Sequence, residues 1–248
     1  MSAVVHVSYP EPHIAAIAME DRANRNTLSA ALMRELTTAF ERVQQDGHTK
    51  VIVIHGYDTY FCCGGTQEEL IKLTEGALRF SDTSFFRLLL DCELPTIAAM
   101  QGHALGGGLA FACYADLLVM ADEMFYSANF MKYGFTPGMG ATHIIPHKFG
   151  SALGAELLFT AEGYRGVELR ARGVGARVVR REQVLDAAMA LARSLAQKPL
   201  ISLKLLKRSL ADPIRQTLPK VVEAELAMHE VTFQLPEVRE RILANFGK

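Results

Sequence analysis

The sequence predicts an α/β fold built from repeated strand–turn–helix units. Two glycine turns carry most of that expectation. Phe61-Cys62-Cys63-Gly64-Gly65 leads into the polar, helix-compatible run from Thr66, and the apolar run Pro95–Met100 passes through Gly102 to Gly106-Gly107-Gly108. The third observation is a change of period. Strand-type runs dominate the first 140 residues, whereas apolar residues recur every three or four positions from Ala141 onward, which is the spacing of packed helices.

Taken in order, Val4–Tyr9 and His13–Met19 are β-type runs separated by Pro10-Glu11-Pro12 and read as a hairpin. Ser29 is an N-cap, and Leu32, Met33, Leu36, Phe40 and Val43 give helical periodicity to about Gln45, ended by Gly47. Lys50–His55 is a buried-type strand closed by Gly56. The first glycine turn follows as strand, Gly64-Gly65 and helix, and the unit from Thr96 to Tyr114 repeats that order. Leu117–Ala121 is a further strand, Phe125-Tyr126 a short one, and Asn129–Gly140 a loop rich in glycine and aromatic residues. Helices are expected over Val184–Gln197, Pro199–Ala211 and Pro213–Thr232, with a last one from Pro236.

Composition narrows the function classes. Half of the 248 residues are hydrophobic, 21% are charged and the net charge is −1, which suits a core-forming protein. There is no basic surplus for nucleic acid or an anionic membrane. No apolar run reaches the ~20 residues that cross a bilayer, and the N-terminal residues do not read as a signal peptide. Cys62, Cys63, Cys92 and Cys113 lack zinc spacing, so reduced thiols and a cytoplasmic setting are expected. His143 and His147 lie four apart, but Pro146 and the missing acidic partner argue against a metal site.

A strand that turns through glycines into a helix leaves N–H groups free at the helix start and lets a ligand oxygen approach the backbone. The triplet fits no dinucleotide fingerprint, because Phe111 stands three residues after Gly108, and no G-K-[ST] follows to make a phosphate loop. Close strand–helix packing is one account of it. The other is an oxyanion hole, which needs a second N–H donor. Gly65 can supply that donor, and two such turns argue against coincidence.

The pattern F-x-x-G-G-x-x-x-x-L (Phe61–Leu70), the run Ile97–Gly108, Asp116 and Pro137–Gly140 together resemble the crotonase, or enoyl-CoA hydratase/isomerase, superfamily. The resemblance implies a crotonase-like ββα spiral over residues 1–190. It also implies a helical C-terminal region, 191–248, that reaches the active site and forms a trimer or dimer of trimers. It assigns the polarisation of an acyl thioester carbonyl to the N–H groups of Gly65 and Gly107. Hydratases carry two glutamates where this chain has Ala110 and Phe130, so water addition has no general base here. Among members lacking both, the wording CCGGTQEEL and YSANFMKYGFTPGMG most resembles the decarboxylases of polyketide β-branching.

That likeness implies conversion of 3-methylglutaconyl to 3-methylcrotonyl on the phosphopantetheine of an acyl carrier protein, with no metal or redox cofactor. Loss of CO₂ leaves a dienolate whose oxygen needs donors, each worth roughly 3–4 kcal/mol. A dry pocket favours the exit of a charge as neutral CO₂. The resemblance makes His229 the proton donor and asks for a cation to hold the departing carboxylate. Lys72 and Arg79 are the candidates, and Glu69 stands where some relatives have tyrosine. Phe130 and Ala110 are expected to line the pocket, Lys132 and Tyr133 to line it or to shape a partner surface, and Arg22, Arg25 and Asn26 to meet the pantetheine or phosphate end. His103 is expected to pack or to bond the backbone. A double-bond isomerase and a silent carrier-protein binder are the rival readings.

Overall fold

In a computed structural model of the chain, residues 3–77 and 85–246 are described. The hairpin forms as antiparallel β1 (Val5–Glu11) and β2 (Ile14–Met19), with its register shifted between Ser8 and Glu11, around Pro10, which has no N–H for the ladder. Helix α1 (Ala30–Gln45) begins where Ser29 Oγ accepts the Leu32 N–H at 3.2 Å, and it buries Leu32, Leu36, Ala39, Phe40 and Val43.

The repeat then runs three times. β3 (Val51–His55), β4 (Tyr60–Cys62) and α2 (Gln67–Thr74) make the first unit. After the short α3 (Leu88–Asp91), β5 (Thr96–Met100), β6 (His103–Leu105) and α4 (Gly107–Cys113) make the second. β7 (Leu117–Ala121), β8 (Phe125–Ser127), a 3₁₀ turn at Met131–Tyr133 and α5 (Ala141–Phe149) make the third. There follow α6 (Ser151–Thr160), β9 (Gly163–Arg165), α7 (Gly166–Ala171), β10 (Arg177–Val179), α8 (Val184–Ala196), α9 (Leu200–Thr232) and α10 (Pro236–Asn245). The first strand of each unit enters a six-stranded sheet ordered β1-β2-β3-β5-β7-β10, and the second enters a four-stranded sheet ordered β4-β6-β8-β9.

Alternation along the strands splits the core. Ile52, Ile54, Ala98 and Met100 face the main cluster, while Val51, Val53, Ile97 and Ala99 meet Val184, Ala188 and Ala192 of α8. Tyr126, fully buried, joins the sheets: its hydroxyl donates to the Met100 carbonyl at 2.8 Å and accepts the Ala121 N–H at 2.7 Å.

Residues 190 and 191 both lie inside α8, which packs on the six-stranded sheet. One expectation is corrected. The two helices expected on either side of Pro213 are one 33-residue helix containing Pro213 and Pro219. An interior proline loses a backbone bond and costs about 3 kcal/mol. Burial of Ala211, Ile214 and Leu218 on both sides offsets this and keeps the segment helical. Strands β9 and β10 are three residues each, too short for an alternating pattern to show in the sequence.

Candidate active site

The parallel pairing of β4 with β6 sets the two glycine turns side by side. Their contact is so close that side chains are excluded. A Cβ on Gly108 would lie 2.1 Å from the Cys62 carbonyl oxygen, and one on Gly64 (φ +79°) would lie 2.8 Å from Leu105 O and 3.3 Å from Gly107 N.

The same backbone bonds aim the donors. In a trans peptide the C=O and the following N–H point opposite ways. The Leu28 N–H holds the Gly64 carbonyl at 2.7 Å, which turns the Gly65 N–H away from Leu28. The Gly106 carbonyl accepts the N–H groups of Leu109 and Ala110, both at 3.1 Å, so the Gly107 N–H at the first position of α4 points back out of the helix. Both glycines line one cavity of about 190 Å³. Two N–H groups at one wall can hold an oxygen that gains negative charge.

Most of the wall is apolar, with Leu28, Leu70, Phe85, Phe130, Phe135 and Met139 among its residues. Its polar side chains are those of Cys63, Glu69, Asn129 and Tyr133, so among the described residues no lysine, arginine or histidine lines it. Glu69 is turned into a capping box, where Oε2 accepts the Thr66 N–H at 3.2 Å and the Thr66 hydroxyl at 2.9 Å. Burial pushes the Cys63 thiol up to about 11, so it stays a thiol. Tyr133 stacks on Phe135 at 6.0 Å and tilts against Phe246 at 6.3 Å. Burial raises its phenol, which remains an O–H donor, and the structure places it on the wall, one of the two positions its loop allowed.

The structure gathers Gly65, Gly107 and Phe130 at this cavity and leaves other expected residues elsewhere. Ala110 is sealed inside α4 rather than exposed on the wall, because α4 turns that face into the core. Lys72 points to solvent and pairs with Glu68 at 2.6 Å, one helical turn back. Arg79 lies outside the described residues. Arg25 is exposed at φ +53°, near enough to Cys63 to act on its thiol, and Lys132 is exposed beside Tyr133. Asn26, expected at a phosphate, is instead fully buried. His103 accepts the Phe125 N–H at 3.0 Å, as its turn position suggested. His143 and His147 stack at 6.0 Å, and among the described residues no group of three or more His, Cys, Asp or Glu could hold a metal.

His229 stands one layer behind the wall. Its Nε2 donates to the Thr136 carbonyl at 2.8 Å, and its ring meets Phe233 edge-on at 5.2 Å. Phe233 in turn stacks on the lining residue Phe135 at 4.7 Å. Burial lowers the imidazole's pKa, against the pull of the Thr136 and Pro137 carbonyls. Glu225, four residues earlier on α9, caps α5 from outside. It accepts the N–H groups of Gly140 at 2.7 Å and Thr142 at 2.9 Å, and the Thr142 hydroxyl at 2.6 Å.

Comparison with known proteins adds to this geometry. The profile of the enoyl-CoA hydratase/isomerase family matches residues 11–246. The chain is 47% identical over 244 residues to the bacillaene synthase decarboxylase PksI of Bacillus subtilis, covering 98% of each chain. A solved structure described as part of a dehydratase/decarboxylase enzyme couple involved in polyketide β-branching superposes with a TM-score of 0.97 at 47% identity, over 99% of this chain and all of the other. The ECH2 decarboxylase domain of CurF from Lyngbya majuscula gives 0.95 at 40% identity, with the same coverage.

Proposed function

The chain belongs to the enoyl-CoA hydratase/isomerase family, and we propose that it is the decarboxylase of a polyketide β-branching pathway, acting on 3-methylglutaconyl carried by an acyl carrier protein. One observation carries the reading. Gly65 and Gly107 line one mostly apolar cavity, and neither hydratase glutamate position holds a carboxylate, since these are Ala110 and Phe130.

The chemistry follows from that wall. The N–H groups of Gly65 and Gly107 hold the thioester oxygen. As the C–C bond to the carboxylate breaks, its electron pair moves through the double bond into the thioester, and CO₂ leaves uncharged. The two donors stabilise the dienolate oxygen more than the ground-state carbonyl, and that difference lowers the barrier. Phe130 and its neighbours keep water from the carboxylate, whose loss of charge a dry site favours. Protonation of the dienolate carbon then gives the 3-methylcrotonyl thioester. His229 is our proton source, and Arg79 our carboxylate anchor, since Lys72 is engaged by Glu68 at the surface. A second reading gives the proton to Tyr133, favoured by its place on the cavity wall.

The partner is the carrier protein, with Arg25 near its phosphate and the setting cytoplasmic. Among the described residues no helix is long and apolar enough to cross a membrane. Copies of this chain associate as a trimer or dimer of trimers, a reading supported by the outward apolar residues Ile201, Leu205, Leu206 and Leu210 of α9, each 54–65% exposed.

Intact-mass analysis of a 3-methylglutaconyl-loaded carrier protein tests the function. The acyl arm is expected to lose one CO₂ on incubation with the protein. An unchanged mass removes the decarboxylase, and the position of the double bond then separates an isomerase from a silent binder.

A further inference from the structure

The structure assigns to Asn26 the positioning of the Gly65 donor, an inference that rests on the reading of Gly65 as an oxyanion donor. The peptide joining Gly64 to Gly65 has a glycine on each side, as has the Gly106–Gly107 peptide, but no helix starts at it to fix its plane. An N–H aimed at one oxygen therefore needs an external brace. The segment Asp21–Leu28 supplies it.

Asn26 is fully buried and left-handed, at φ +51°. Its Oδ1 accepts the Asp21 N–H at 2.8 Å, and its Nδ2 donates to the carbonyls of Met19 at 2.9 Å and Phe61 at 3.0 Å. Its own carbonyl accepts the Cys63 N–H at 3.3 Å, and two residues on, the Leu28 N–H holds the Gly64 carbonyl at 2.7 Å. One side chain thus ties the end of β2 to β4, and the backbone that follows it holds the Cys63 N–H and the Gly64 carbonyl just ahead of Gly65. Asp21, 2% exposed, closes the loop: its carbonyl accepts the N–H of Asn26, and its carboxylate accepts the hydroxyl of Ser29, the cap of α1. Asn26 touches no substrate. It acts through the Gly64 carbonyl, by fixing which way the Gly65 N–H faces.

A residue that only stabilised the fold would change the melting temperature and leave the donors aimed. A positioning residue changes how strongly the carbonyl is polarised. The test follows the infrared carbonyl band of ¹³C-labelled 3-methylcrotonyl-pantetheine bound to the wild type, to Asn26→Ala and to Asn26→Asp, together with turnover on the loaded carrier protein. Asn26→Asp keeps the side-chain shape and replaces the Nδ2 donor with oxygen, which covers the case in which Asn26→Ala fails to fold.

The wild-type band is expected to lie below that of the free thioester, and the folded variants to return it toward the free value. Turnover is expected to fall about 100-fold, the loss typical of a donor misplaced by about 1 Å. A folded variant that keeps the wild-type band overturns the assignment, whether or not it melts lower. A wild-type protein that shifts the band but releases no CO₂ removes the decarboxylase reading and leaves this one standing. A wild-type protein that does not shift the band overturns the donor role of Gly65 and this inference with it.

Discussion

Adjacent glycines at the turn should answer oppositely to the same substitution. In Gly64→Ala the new methyl meets backbone, 2.8 Å from the Leu105 carbonyl oxygen, and ordinary contact begins near 3.4 Å. The two turns must therefore part by about 0.6 Å, beyond the roughly 0.5 Å within which a catalytic group stays productive. The left-handed φ of +79° adds a strain of about 1–2 kcal/mol for a residue with a Cβ. In Gly65→Ala the methyl meets only the Leu70 side chain, at 3.7 Å, and the N–H remains. Single-turnover decarboxylation, followed by intact mass, should fall about 10–100-fold in Gly64→Ala and stay within about threefold in Gly65→Ala. Equal rates in the two variants would refute the claim that the spacing of the turns matters.

His229→Gln should lower turnover by about 10²–10⁴-fold, as loss of a general acid does, whereas Tyr133→Phe should lower it less than tenfold by the same principle. The reverse order would give the proton to Tyr133. If the imidazolium is the acid, turnover falls as pH rises through a value below 6.5, because burial lowers the His229 pKa. The same burial affects stability. His103, His147 and His229 all have folded pKa values below that of the unfolded side chain, so the unfolded chain takes up protons first. Their stabilisation is whole above about pH 6.5 and fades as pH falls through the folded values. Urea midpoints should therefore drop between pH 7.5 and 5, and less steeply in His229→Gln. Glu225→Ala should leave the Gly140 and Thr142 N–H groups and the Thr142 hydroxyl without their acceptor and cost roughly 1–3 kcal/mol, read as a lower melting temperature. Charge introduced by Leu206→Glu with Leu210→Glu should reduce the mass seen by light scattering if α9 faces a second copy.

Much of this site was legible because glycine turns are local. A strand, two or three glycines and a helix occupy a dozen residues, and the demand for a second donor could be stated before any fold was known. The absence of both carboxylates was equally plain, as Ala110 and Phe130 stand at fixed offsets from the glycines. The rest depends on distant contacts. Glu225 becomes the cap of α5 only once α5 is packed against α9, a contact between segments more than 80 residues apart. Asn26 reads as a polar loop residue near a phosphate until β4 arrives beside it. Pro213 predicts a break that core burial overrides. Tyr133 lay in a loop without periodicity, where no pattern distinguishes a wall from a surface.

One consequence of building the oxyanion wall from main chain concerns acidity. A peptide N–H holds its proton across the whole biological range, unlike a lysine, a histidine or a tyrosine doing the same work. With Gly65 and Gly107 as the proposed donors, the attraction exerted on the developing negative charge is constant with pH. Any slope in the rate profile belongs to the group that delivers the proton or to the substrate itself, which makes this chain a clean instrument for titrating that one group.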